Sequence, residues 1–366
     1  MAGAYIPLSN EDVVVSTDSV TSAMWSDNSP TLLNYFTSSA QVASAVAPYY
    51  YTVYQTASTE TTPIQAEIQF DIAYCDEVGS GSVDLNPLVI GTSPTKINYG
   101  QYRNLVLGDE NASFIFGNHT SSFFYVLNLE RARYKQNILP GTWTLMLSGS
   151  ATGPPAEKVS LTDDSLVNPV TSFTDAGRVY NIISGSAGVV ANGGVATGGN
   201  DANGWTLTKG SYGWVLPDVN LLILNAEALD LTFVNGGIDL GTLRQSSTAD
   251  NNPLLIFDAL NLGGRKFPET DGDGTGFTMN SQENLSSDFI FCRARNNQIN
   301  YSSNPSFISS STGAIIYDTF IENPTTFITT VGLYNDSQEL LATAKLSRPL
   351  EKDFTKELLV RVKLDF

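Results

Sequence analysis

The sequence predicts a mainly β protein with a few short helices, a β-rich α+β chain made of two to three β-sandwich-like domains. One observation behind this is the run from Ile64 to Tyr74, where Ile64, Ala66, Ile68, Phe70, Ile72 and Tyr74 alternate with Gln65, Glu67, Gln69, Asp71 and Ala73. A second is the pair of strand-like runs 325–334 and 340–346, joined by the polar linker Asn335-Asp336-Ser337-Gln338-Glu339. The third is the closing run Val360-Arg361-Val362-Lys363-Leu364-Asp365-Phe366, again of period two.

Residues 1–63 are rich in Ser, Thr and Ala, with apolar clusters at Val13-Val14-Val15 and 49–54, and read as an arm or an edge strand. The alternation from Ile64 is that of a strand with one wet face. After the turn sequence Gly79-Ser80-Gly81-Ser82 a helix is expected, capped by Ser93 or Thr95 with Pro94 in its first turn, and with Ile97, Tyr102 and Leu105 sharing a face. Strands are expected at 123–129 and 142–147 around the basic connection 131–135, completing an N-terminal domain at residues 1–149.

Ser150-Ala151-Thr152-Gly153-Pro154-Pro155 has the composition of an exposed connector and is expected to open a middle domain, 150–285. That region holds a strand-like run at 178–183, a glycine-rich stretch from Gly185 to Gly204, a strand at 219–224 and a helical run at 253–260. The remaining residues, 286–366, read as a β module for subunit contact, with a first hairpin at 289–301 turning on Asn296-Asn297 and a second turning on 335–339. Its last strand sets Val360, Val362, Leu364 and Phe366 on one face and Arg361, Lys363 and Asp365 on the other, and the Phe366 ring implies a groove, in this chain or in a partner, that receives it.

Charge and composition exclude several functions. The net charge is -18, and it is unevenly placed: residues 1–290 carry 29 acidic and 11 basic side chains, whereas residues 291–366 carry eight of each. An acidic body without a basic, aromatic-interleaved stretch repels phosphate backbones and anionic lipid surfaces, so no nucleic-acid partner and no membrane insertion are expected. With no basic-then-apolar leader and no apolar run of membrane-spanning length, the expectation is a soluble protein made in the cytoplasm. Cys75 and Cys292 lie in strand-like runs and are expected to be reduced. Asn-x-Ser/Thr triplets such as Asn111-Ala112-Ser113 then carry no glycosylation.

Candidate chemistry is sparse. His119, the single histidine, stands in a turn-like sequence and reads as a solvent-exposed turn residue rather than a general base. Asp271-Gly272-Asp273-Gly274-Thr275 begins like a Ca²⁺ loop, but Gln282 stands where the bidentate Glu belongs, so a polar turn is the reading and Asp271 and Asp273 are left with an open question of cation binding. The glycine-rich stretch lacks the Gly-Lys-Ser/Thr ending of a phosphate cradle. Glu67 and Asp71, or Asp163 and Asp164, are the carboxylate pairs that glycoside hydrolysis would draw on, with nothing in the sequence to select them. No catalytic, cofactor-binding or metal residue is assigned, and no cofactor is expected.

Four blocks carry a resemblance: Arg293-Ala294-Arg295-Asn296-Asn297 on to Phe307, then 327–336, then 342–350, and last 354–366, with weaker blocks at 93–105 and 131–143. In these the chain resembles structural virion proteins of contractile-tailed bacteriophages, the myoviruses and cyanophages, and among them baseplate or baseplate-wedge components. The resemblance implies a non-enzymatic building block of the virion tail, assembled in the host cytoplasm. Its partners would be other tail or baseplate proteins, or further copies of itself as a homo-oligomer. Neck and fibre-attachment positions stay open. The contact residues expected from this reading are Val360, Arg361, Val362, Lys363, Leu364 and Phe366.

Two other classes remain. A receptor- or glycan-binding module is motivated by Trp205, Tyr212 and Trp214 near the glycine-rich stretch, although the same rings read more readily as core. A glycan-cleaving tail enzyme ranks last.

Overall fold

The alternation that begins at Ile64 continues in space as a strand, Glu67–Asp76, set inside a large antiparallel sheet with packed side chains on both of its faces. The computed structural model describes residues 5–25, 31–32, 36–40, 50–55, 67–81, 93–149, 158–168, 172–191, 212–244, 252–263, 276–302 and 304–365. Among these the protein is mainly β with four helices, and its antiparallel sheets include one curled into a half-barrel. The chain divides into two compact units, residues 20–283 and a second unit formed by 1–19 together with 284–366.

In the larger unit, strands Phe36–Ala40, Tyr50–Gln55, Glu67–Asp76, Phe123–Leu129, Leu221–Asn225, Gly213–Leu216, Gly177–Ser186, Lys158–Asp163, Thr144–Ser148, Phe277–Thr278 and Thr31–Leu32 lie side by side in that order. Odd and even positions go to opposite faces. Phe70, Ile72, Tyr74, Phe123, Tyr125 and Leu127 enter one core, while Ala73, Cys75, Phe124 and Val126 enter another. Helix Asn252–Gly263 contributes Ile256 and Leu260 to the first core. Helix Pro94–Leu107 contributes Tyr99 and Val106 to the second. It stops at Gly108, whose φ of 65° is the left-handed cap that a side chain would strain.

Two expectations are corrected here. The face expected to be wet is wet only at its start: Glu67 is exposed and Asp71 half-buried, but Gln69 is 0% exposed and Ala73 7%, and helix Pro94–Leu107 packs on Ala73 and Cys75, which the period-two pattern cannot see. The segment at 150–155, expected to separate two domains, instead links neighbouring strands, since Thr144–Ser148 and Lys158–Asp163 pair antiparallel with Leu145 opposite Leu161.

In the smaller unit, strand Asn280–Ala294 pairs with Leu358–Asp365 from Ser287 opposite Asp365 to Ala294 opposite Leu358. Strand Val13–Ala23, the Val13 strand, lies on its other side. The expected hairpin at 289–301 does not form. Asn296 and Asn297 do turn the chain, but Ile299 then adopts φ 54° and the segment leaves the sheet, so the sheet partner comes from far along the sequence instead. The second expected hairpin does form, as strands Thr326–Tyr334 and Leu340–Lys352. Its turn is held by Asn335, whose Oδ1 accepts from the Glu339 amide at 2.8 Å while its Nδ2 donates to Glu339 Oε2 at 2.7 Å. Between Thr330 opposite Lys345 and Ile328 opposite Leu350 the register slips, and the bulged stretch accommodates Pro349, which lacks a backbone donor.

Candidate subunit interface

The last strand shows the predicted alternation in its burial: Leu358, Val360 and Leu364 are half-buried and Val362 is buried, while Leu359, Arg361, Lys363 and Asp365 are exposed. Val362 stands opposite Ile290 and Val360 opposite Cys292, so the apolar face of one strand is matched by that of its neighbour. Phe366 lies outside the described residues.

The polar face has its own order. The register sets Phe289 opposite Lys363 and Phe291 opposite Arg361. The Phe289 ring lies beneath two cations, with the Arg361 guanidinium 5.3 Å and the Lys363 ammonium 5.8 Å from its centre. Ser287 Oγ donates to Asp365 Oδ1 at 2.6 Å, and Lys363 Nζ is 2.9 Å from the same oxygen. These contacts, the Ser287 bond foremost, hold the Asp365 carboxyl below the usual carboxylate range. One carboxylate is thus engaged within its own sheet, and Arg361 presents its charge outward.

Lys352 belongs to the group of cations between Lys345 and Lys363 that the sequence reads as a solvated or partner-facing surface, and the structure corrects that for this residue. Its side chain is fully buried, and its ammonium donates to Asn300 Oδ1 at 2.6 Å, the Asp353 carbonyl at 2.7 Å and the Asn296 carbonyl at 3.0 Å. Asn300 Nδ2 in turn donates to the Asn296 carbonyl at 2.6 Å. Three acceptors match the three protons of an ammonium, and the end of the hairpin is thereby tied to the segment after Asn280–Ala294. A charged residue inside an alternating strand reads in sequence as solvated; only the returning loop supplies the oxygens that bury it.

Apolar packing is scarce in this unit. Its buried apolar residues among those described are Ala294, Phe320 and Val362. By contrast Phe327, Leu340, Leu341, Phe354 and Leu359 are 55–68% exposed. The arm packs Tyr5 edge-on against Tyr334 at 5.0 Å, and a groove of about 1200 Å³ runs among Tyr5, Leu8, Phe291, Ile328, Leu358 and Val360. Cys292 borders it, its thiol pushed up by burial and then by Asp12.

Elsewhere the candidate residues take structural parts. His119 begins a short strand rather than standing in a turn, and its Nε2 is 2.5 Å from Glu227 Oε2. Asp163 accepts from the amides of Gly141 and Ser165, and Asp164 from the amide and side chain of Asn181, so both buried carboxylates act as backbone anchors. Glu67 pairs with Arg133 at 2.6 Å. Asp71 is half-buried and its carboxyl is pushed up by desolvation. Tyr212 is buried with its hydroxyl on the Gly236 carbonyl, and Trp214 packs on Phe114 and Phe116. Asp271, Asp273, Trp205 and residues 192–211 of the glycine-rich region fall outside the described residues.

Among the described residues no three His, Cys, Asp or Glu side chains gather as a metal site, and no helix is long and apolar enough to cross a membrane. Comparison with known protein families, curated proteins and solved structures finds no match.

Proposed function

We propose that this chain is a structural subunit of a contractile phage tail, a baseplate component that binds neighbouring tail proteins through the β module at 286–366. The observation that carries the docking role is the imbalance within that unit. A two-stranded ribbon of 9 and 13 residues stands with large apolar side chains exposed along it, and isolated ribbons are marginal in water unless a further surface covers them. Burying the remaining exposed surface of Phe327, Leu340, Leu341 and Leu359 against a partner would contribute about 1–2 kcal/mol each by the usual area relation. The tail assignment adds to this the resemblance of the blocks at 293–307, 327–336, 342–350 and 354–366 to virion proteins of that kind.

The test is incorporation. Deleting residues 359–366 is expected to yield protein that no longer enters tails, and electron microscopy of particles carrying a tag on the intact chain is expected to place it at the baseplate. Particles that assemble and infect normally with the deleted chain would overturn the proposal.

A further inference from the structure

We propose that copies of this chain join head to tail by continuing one β-sheet, the edge of Leu358–Asp365 in one copy pairing with the edge of the Val13 strand in the next. This rests on the reading that the smaller unit works by docking proteins, and it names one partner: a second copy.

Both strands are outer strands of the same sheet, on opposite sides of Asn280–Ala294, and among the described residues neither has a strand on its far side. An open edge presents a row of backbone donors and acceptors to whatever extended segment arrives. The Val13 strand is unusual in being exposed on both faces: Val13, Val14 and Val15 point alternately to the two sides and are 36%, 47% and 65% exposed. A strand added along this edge would take up its outer backbone groups and set cross-strand side chains beside these valines.

Charge selects the pairing. Residues 1–19 contain Glu11, Asp12 and Asp18 and no Lys or Arg, Asp12 being held by the Ser9 amide and hydroxyl, whereas Leu358–Asp365 carries Arg361 beside a Lys363–Asp365 pair and so keeps a net positive charge. Self-pairing of the last strand about a two-fold axis is opposed. The two antiparallel registers of fullest overlap set Arg361 opposite itself or opposite Lys363, and like charges directly across a ladder are destabilising. Pairing of two Val13 strands gathers acidic groups in the same way. The acidic edge against the basic edge remains, and because it uses two different surfaces it builds a ring or a filament rather than a closed pair.

Sedimentation of the full chain over a range of concentration and salt tests this. The wild type is expected to form assemblies whose mass rises with concentration and falls with added salt. Arg361→Glu with Lys363→Glu is expected to weaken association by about tenfold or more, and adding Glu11→Lys and Asp18→Lys to that same chain is expected to restore it. Val15→Lys, which acts on the other edge and on exposed surface, is expected to weaken association too, and it serves if the reversed last strand unfolds by circular dichroism. A wild type that stays monomeric throughout, or a charge-reversed chain that associates like the wild type, overturns the proposal. A monomer that still enters tails leaves the tail-subunit reading standing, and an assembling chain absent from tails removes that reading alone.

Discussion

The ammonium of Lys352 lies 2.6 Å from Asn300 Oδ1 with its side chain fully buried, so the hairpin of the smaller unit is tied to the preceding loop by a cation bound to neutral oxygens rather than to a carboxylate. Hydrogen bonds from a charged donor are stronger than neutral ones, and the oxygens left behind are desolvated if the donor is removed.

Lys352→Met is therefore expected to destabilise the smaller unit by roughly 2–4 kcal/mol, since it strands the Asn300, Asn296 and Asp353 acceptors without water. Urea unfolding followed by circular dichroism measures this. A midpoint unchanged from the wild type would show that the three acceptors find other donors.

The two faces of the last strand should respond differently to the same change. Val362→Asp places a carboxylate on the face that meets Ile290, and is expected to lower stability by more than about 2 kcal/mol. Leu359→Asp, on a residue 56% exposed, is expected to change it by less than about 0.5 kcal/mol in the isolated chain. Equal losses in thermal melts would contradict the alternation.

Asp71 supplies a dependence on pH. Its carboxyl is raised by desolvation first, with Glu130 adding to this and Thr52 opposing it. An acid whose folded pKa lies above its unfolded value penalises folding once pH exceeds both, and the penalty vanishes when pH falls below the unfolded value. Asp71→Asn is thus expected to raise the melting temperature at pH 7 and to leave it unchanged near pH 3, where the wild-type carboxyl is protonated in both states. A gain of the same size at both values would point to packing instead of charge.

Much of this architecture is legible in single segments. The strands at 67–76, 123–129 and 358–365, the helix after Ser93 and the hairpin turning on Asn335 all follow from period, turn residues and a Pro in a first helical turn, because each is a local preference. What sequence could not show is which distant segment meets which. Asn296-Asn297 has the chemistry of a tight hairpin, yet the strand before it takes Leu358–Asp365 as its partner. Ala73 follows a wet-face pattern, yet helix Pro94–Leu107 packs on it. Lys352 reads as solvated until a returning loop encloses it.

By itself the sequence determined that this is a β-rich chain, that its last strand has an apolar and a charged face, and that its acidic charge sits mostly before residue 291. Only the tertiary structure decided that, among the described residues, the last strand is an outer one, the Val13 strand lies on the opposite side of the same sheet, and the large hairpin keeps apolar side chains exposed. The reason is physical: alternation encodes which face of a strand is apolar, whereas the backbone groups along its edge are the same for every residue but proline, so strand order has to be settled by packing.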